Sequence, residues 1–223
     1  MARGGSSLIL STGAEMRVTG PTDRGAVVCV NGGQAREVAG TWSASLEWLV
    51  GRLAPRLPEL AFAEVRYRVK SWKRLESCFE DARAAVREVG APRALLLGFS
   101  MGGAVSIGIA DEPGVEGVVG LAPWIPDQLD VSRLHGRRLS VFHGALDRWL
   151  PGLPGVSPRL SRKGFERARA RGAHGRYVLI RGGVHGLAVR SPWGGLVSLP
   201  RAGRWAELVE EEVRRFAGRG MAD

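Results

Sequence analysis

A chain of 223 residues, 44% hydrophobic and 24% charged, carries enough apolar side chains for a substantial core, which excludes a disordered or low-complexity protein. The formal net charge is +10, yet of the 32 basic residues only Lys70, Lys73 and Lys163 are lysine, and the arginines are scattered through every segment. Scattered arginine without an aromatic-interleaved basic stretch argues against a nucleic-acid footprint, while the positive surface it leaves favours anionic substrates or an acidic carrier protein.

In chain order, Ser6 to Leu10 and Met16 to Thr19 are expected to form an edge hairpin turned at Thr12 to Glu15. The apolar run Leu8 to Leu10 is too short for a signal peptide or a membrane span, so a cytoplasmic protein is expected. Ala26 to Val30 reads as a strand buried on both faces that delivers the glycine loop Asn31, Gly32, Gly33, Gln34. Leu46, Leu49, Val50, Leu53 and Leu57 fall at helical spacing over Ser43 to Leu57, with Ser43 as N-cap and Pro58 beyond the end. Phe62 to Val69 alternates as a strand does, and Lys73 to Val89 is the most regular helix, with Leu75, Phe79, Ala82, Val86 and Val89 on one face. Gly90 and Pro92 stop it.

Ala94 to Leu97 is a further buried strand, followed by Gly98 to Gly103 and a small-residue helical stretch, Ala104 to Ala110. Val115 to Ala122 and Leu139 to Gly144 are two more buried strands joined by the linker Pro123 to Arg138. Pro151 to Pro158 is a loop, Arg159 to Arg171 is an arginine-rich segment with Leu160, Phe165 and Ala168 as its apolar face, and Arg176 to Ile180 is the last strand. Trp205 to Phe216 closes the series as an amphipathic helix bearing Leu208, Val209, Val213 and Phe216. Such alternation predicts an α/β fold, with a mostly parallel central sheet and helices on both faces, as one domain over residues 1–223. Cys29, in a strand, and Cys78, on a helix, lack a CxxC spacing and read as buried small hydrophobes. No metal-ligand cluster, phosphate loop or dinucleotide fingerprint is present, so neither metal nor cofactor is expected.

The stretch Gly98, Phe99, Ser100, Met101, Gly102, Gly103 reads as strand, tight turn and helix, the pattern of a nucleophile elbow. The turn is sharp enough to strain the serine, and glycines two before and two after it let strand and helix pass without Cβ clashes. Ser100 Oγ would stand above the sheet edge, with the Met101 N–H at a helix N-terminus aimed at the same spot. A serine hydroxyl is a weak nucleophile near neutral pH, so it needs an imidazole base, and that base needs a carboxylate to fix its tautomer.

From Ala26 to the C-terminal helix the chain resembles the α/β-hydrolase family, whose functional residues run nucleophile, acid, histidine. The resemblance implies Ser100 as nucleophile, Asp147 after the strand Leu139 to Phe142 as acid, and His185 in Gly182, Gly183, Val184, His185, Gly186 as base. Leu150 and Pro151 after the acid are similar to the pattern in small esterases and thioesterases. His143 is the competing base, expected to pack or hydrogen-bond instead, and His135 and His174 read as solvated. Asp127 and Asp130 are the rival acids. Met101 N–H is the expected first oxyanion donor and Gly33 the second, with Gln34 the alternative; Asn31 stands where the family often has histidine.

In the family, cap domains follow the strand placed at Val115 to Ala122, and the linker Pro123 to Arg138 is too short for one. Trp124, Ile125, Trp149 and Leu150 are therefore expected to line an open site, with Trp193 and Leu196 from the stretch Leu187 to Pro200 as an apolar wall or as packing. The implied activity is a serine hydrolase acting on a small-molecule acyl ester or thioester, anionic or carrier-bound, with no nucleic-acid or membrane partner. Acyl transfer or other carbonyl chemistry at the same residues is the alternative, and a non-catalytic binding protein of this fold a further one. The natural substrate and the oligomeric state are not legible.

Overall fold

The computed structural model describes residues 6–147 and 155–219, with side chains over 7–147 and 155–218. The chain runs β1 (Ser6–Ile9), β2 (Glu15–Thr19), β3 (Ala26–Val30), β4 (Val38–Ala39), α1 (Ala44–Leu53), β5 (Ala61–Arg66), β6 (Val69–Lys70) and α2 (Leu75–Glu88). It continues β7 (Ala94–Phe99), α3 (Met101–Gly108), β8 (Val115–Leu121), β9 (Arg138–Gly144), α4 (Pro158–Ala170), β10 (His174–Ile180), β11 (Ala188–Arg190), β12 (Leu196–Ser198) and α5 (Ala202–Arg219). Eight strands form the main sheet in the order β1-β2-β5-β3-β7-β8-β9-β10. The pairs β1–β2 and β2–β5 are antiparallel, and all later neighbours are parallel.

Successive strand residues point to opposite faces, so Ala26, Val28 and Val30 of β3 enter one core while Val27 and Cys29 enter the other. In β7, Leu96 goes one way and Leu95 and Leu97 the other. Strands apolar on both sides require cover on both sides. Cys78, Ala82 and Val86 of α2, Val105 of α3 and Phe165 of α4 supply it on the first face. Leu46, Leu49 and Leu53 of α1, with Trp205, Leu208 and Val213 of α5, supply it on the second.

Several boundaries depart from the sequence reading for local reasons. The helix expected to reach Leu57 ends at Leu53 and tightens into a single 3-10 turn over Ala54–Arg56, because Pro55 offers no N–H to continue the ladder. The expected strand Phe62 to Val69 breaks after Arg66, where the Arg68 N–H turns to Asp81 Oδ2 at 2.9 Å. Val69 and Lys70 then pair antiparallel with Ala39 and Val38 in a separate two-stranded ladder, which periodicity did not reveal. Ser43 caps α1 as expected, accepting from the Leu46 N–H.

Candidate active site

Between the end of β7 at Phe99 and the start of α3 at Met101 the chain reverses through one residue, Ser100. Its backbone is held at φ +54° and ψ −118°, a conformation that costs an L-residue about 1–3 kcal/mol. The ends of β7 and β8 enforce it. Ser100 N–H donates to Leu121 O, and Ser100 O accepts from the N–H groups of Gly103 and Trp124, each at 2.9 Å. A Cβ on Gly98 would lie 2.3 Å from Gly102 O, and one on Gly102 would lie 2.1 Å from Val30 O, so both positions must be bare. Met101 is the first helical residue, so its N–H has no intrahelical acceptor.

The loops after β9 and β10 are bonded to each other. Ala145 N–H donates to Ile180 O and Leu146 N–H to Gly183 O, each at 2.9 Å, which brings Asp147 and His185 together. Asp147 Oδ2 accepts from His185 Nδ1 at 2.6 Å and from His143 Nε2 at 3.0 Å, and Oδ1 accepts from the Val156 N–H at 3.1 Å. Burial alone would push this carboxyl upward, but the two imidazole hydrogen bonds hold it below the usual carboxylate range. The His185 ring leans on Phe99, with centroids 5.1 Å apart. Beyond it, Ser45 Oγ of α1 accepts from Leu187 N–H at 3.0 Å and Ala188 N–H at 3.3 Å, pinning the segment that carries the histidine.

His143 is fully buried and hydrogen-bonded, as the sequence reading expected. Its Nε2 faces two acceptors, Asp147 Oδ2 and Val156 O at 2.9 Å, and therefore carries the proton. Its Nδ1 is 2.7 Å from Ser161 Oγ, and Ser161 Oγ lies 3.0 Å from the Tyr177 hydroxyl. Both ring nitrogens are thus engaged inside the protein.

Ser100, His185, Gly33 and Trp124 share the wall of one cavity of about 620 Å³. Gly33 is packed on Met101, since a Cβ there would sit 2.1 Å from Met101 Sδ. The loop owes its shape to buried Asn31, whose Oδ1 accepts from Gly32 N–H and whose Nδ2 donates to Thr41 O, each at 2.6 Å. Gln34 is not on the wall; its carbonyl accepts from Trp72 N–H.

Three of the expected wall residues lie elsewhere. Ile125 is fully buried against Gly164, because its neighbour Trp124 takes the cavity side of the chain. Trp193 is 92% exposed in the turn between β11 and β12, and that hairpin presents Val189 and Arg190 to the cavity instead. Trp149 and Leu150 lie outside the described residues. Leu196, in β12, is not on the wall either. The rival acids are surface groups: Asp127 pairs with Lys163 and Arg167, and Asp130 accepts from Ser132. His135 and His174 are exposed. Burial pushes the Cys29 thiol well up and the Cys78 thiol to about 11, so neither is a ready thiolate. Sequence reasoning missed Ser45, Thr41 and Lys70, whose placement depends on contacts between distant segments.

The sequence matches no family model and no curated protein. In structure it is similar to an α/β hydrolase enzyme from a Medee basin deep-sea metagenome library, with 16% identity and a TM-score of 0.71, over 97% of this chain and 100% of that one. The chain has the α/β-hydrolase fold. It is likewise similar to the monoacylglycerol lipase of Paleococcus ferrophilus (14% identity, TM-score 0.66, covering 91% of this chain and 99% of that one). An α/β serine hydrolase homologue from Coxiella burnetii has 17% identity and a TM-score of 0.63, covering 95% of this chain and 98% of that one. Within this α/β-hydrolase fold, Gly33, Ser100, Asp147 and His185 all follow the C-terminal ends of parallel strands, where such sheets place their ligands. The connection from β8 to β9 holds only a 3-10 turn at Ser132–Leu134, which leaves no room for an inserted domain there.

Proposed function

We propose that this protein is a serine hydrolase that cleaves a carboxylic ester or thioester through an acyl-enzyme, with Ser100 as nucleophile, His185 as base and Asp147 as the carboxylate that orients it. The observation that carries the reading is the 2.6 Å hydrogen bond from His185 Nδ1 to Asp147, made by a histidine that shares its cavity with the strained Ser100. An ionised carboxylate only accepts, so Nδ1 holds the ring proton and Nε2 keeps the lone pair that takes the proton of Ser100 Oγ. The oxygen attacks the carbonyl carbon, and the carbonyl oxygen becomes an oxyanion facing the N–H groups of Met101 and Gly33, donors typically worth about 3 kcal/mol each. The imidazolium returns its proton to the departing alcohol or thiol, and a water molecule repeats the sequence on the acyl-enzyme.

Ser100→Ala is expected to abolish both p-nitrophenyl ester turnover and fluorophosphonate labelling. Persistence of the two activities in the purified variant would refute the assignment.

A further inference from the structure

The cavity wall is unbalanced in charge. Among the described residues it carries two cations, Lys70 and Arg190, and no carboxylate. Arg190 is neutralised locally, bonded to Glu47 Oε2 at 2.6 Å and to Gly194 O at 3.0 Å. Lys70 is not: its ammonium donates to the Thr41 hydroxyl at 2.8 Å, and among the described residues no acid pairs with it. Of the two cations on this wall, then, Arg190 has a carboxylate partner and Lys70, among the described residues, has only a hydroxyl.

The backbone that carries Lys70 is fixed. The ladder pairing Lys70 with Val38 fixes the backbone of Lys70, and Thr41 O is held by the side chain of Asn31, which shapes the loop bearing Gly33. The same cavity wall carries Trp72 and Trp124, stacked with ring centroids 6.4 Å apart. Partial burial pulls the Lys70 ammonium below its ordinary value, so a charge is held where it lacks full solvation and gains from a counter-ion. A compact ammonium with one donor spent on Thr41, and a single hydroxyl beside it, match a monoanion; a phosphate ordinarily gathers several cations or a nest of N–H groups.

We infer that Lys70 and Thr41 form a carboxylate subsite in the Ser100 cavity, so that the favoured ester carries a carboxylate next to an apolar body resting on Trp72 and Trp124. The inference rests on the reading of this cavity as the place of ester cleavage, but its test does not. Benzoate and its neutral isostere benzamide are titrated calorimetrically into the wild type, Ser100→Ala, Lys70→Gln and Lys70→Arg. Benzoate is expected to bind the wild type about tenfold more tightly than benzamide, a preference that weakens as salt is raised. The preference should persist in Ser100→Ala and Lys70→Arg and vanish in Lys70→Gln. Equal affinities in the wild type, indifference to salt, or a preference that survives Lys70→Gln overturns the subsite; the last result would put the carboxylate against Met101 and Gly33 instead. Ester turnover surviving in Ser100→Ala would refute the hydrolase reading alone and leave the benzoate result standing.

Discussion

Asp147 and Glu212 are both sealed from solvent, and they are held by opposite kinds of partner. Glu212 of α5 lies among three guanidinium groups, with Arg138 and Arg215 at 2.7 Å and Arg176 at 2.8 Å. Burial opposes its ionisation, but the arginines, Arg138 first, hold it down to about 2. Asp147 is held by two imidazoles and a backbone N–H. A guanidinium keeps its charge at any working pH, so the Glu212 cluster is a permanent clamp between α5 and strands β9 and β10. An imidazole, by contrast, is a neutral donor through one ring nitrogen and an acceptor through the other, so the Asp147 cluster is not a fixed ion pair. The same contrast recurs inside the Asp147 cluster. His143 has both nitrogens engaged in the interior, whereas His185, whose side chain is 22% exposed, makes its one hydrogen bond among the described residues through Nδ1. Only the second has a ring nitrogen, Nε2, with no hydrogen bond among the described residues.

The sharpest way to break this comparison is Asp147→Asn, which leaves the volume intact but presents an NH2 group to the imidazoles. In the proposed mechanism kcat is expected to fall by about 10⁴. A loss below tenfold in steady-state ester assays would mean that His185 does not depend on this carboxylate. Glu212→Gln should do the reverse, lowering stability by about 3 kcal/mol at neutral pH with kcat hardly changed, as read by urea unfolding and initial rates. The pH dependence follows from the sign of the shift. A carboxyl depressed from 4.5 to about 2 stabilises the fold fully above its unfolded value, and that contribution is lost as pH falls from about 4.5 toward 2. Wild type and Glu212→Gln should therefore converge in stability at acid pH; parallel curves would exclude the clamp.

A smaller effect is expected of His143→Phe. Asp147 would lose one donor and become more basic, the His185 imidazolium would be better stabilised, and the acid limb of kcat/KM should move to higher pH with kcat reduced about tenfold. His143→Gln, which can still donate to Asp147, should restore part of the wild-type profile. A stability loss without movement of the pH limb would make His143 a packing residue only.

The elbow was legible because its demands are local: Gly98 and Gly102 are dictated by atoms within a few residues or on the adjacent β3. Strand alternation and the Ser43 cap were legible for the same reason. The cavity wall was not. Whether Trp124 or Ile125 faces it depends on Trp124 N–H bonding Ser100 O, and whether Trp193 reaches it depends on Ser45 anchoring the distant hairpin. His143 did leave a signal, since it follows Leu139 and Val141 on the inward face of β9, where a polar side chain needs buried partners.

The backbone of Ser100, at φ +54° and ψ −118°, is the mirror image of an ordinary extended residue, and glycine occupies that region without strain. Ser100→Gly should therefore raise the melting temperature, by about 2–4 °C for each kcal/mol of strain relieved, while removing the hydroxyl. One codon thus sets stability against chemistry. On the proposed reading the strain is kept for the sake of that oxygen, and a chain without that need would be more stable with glycine here.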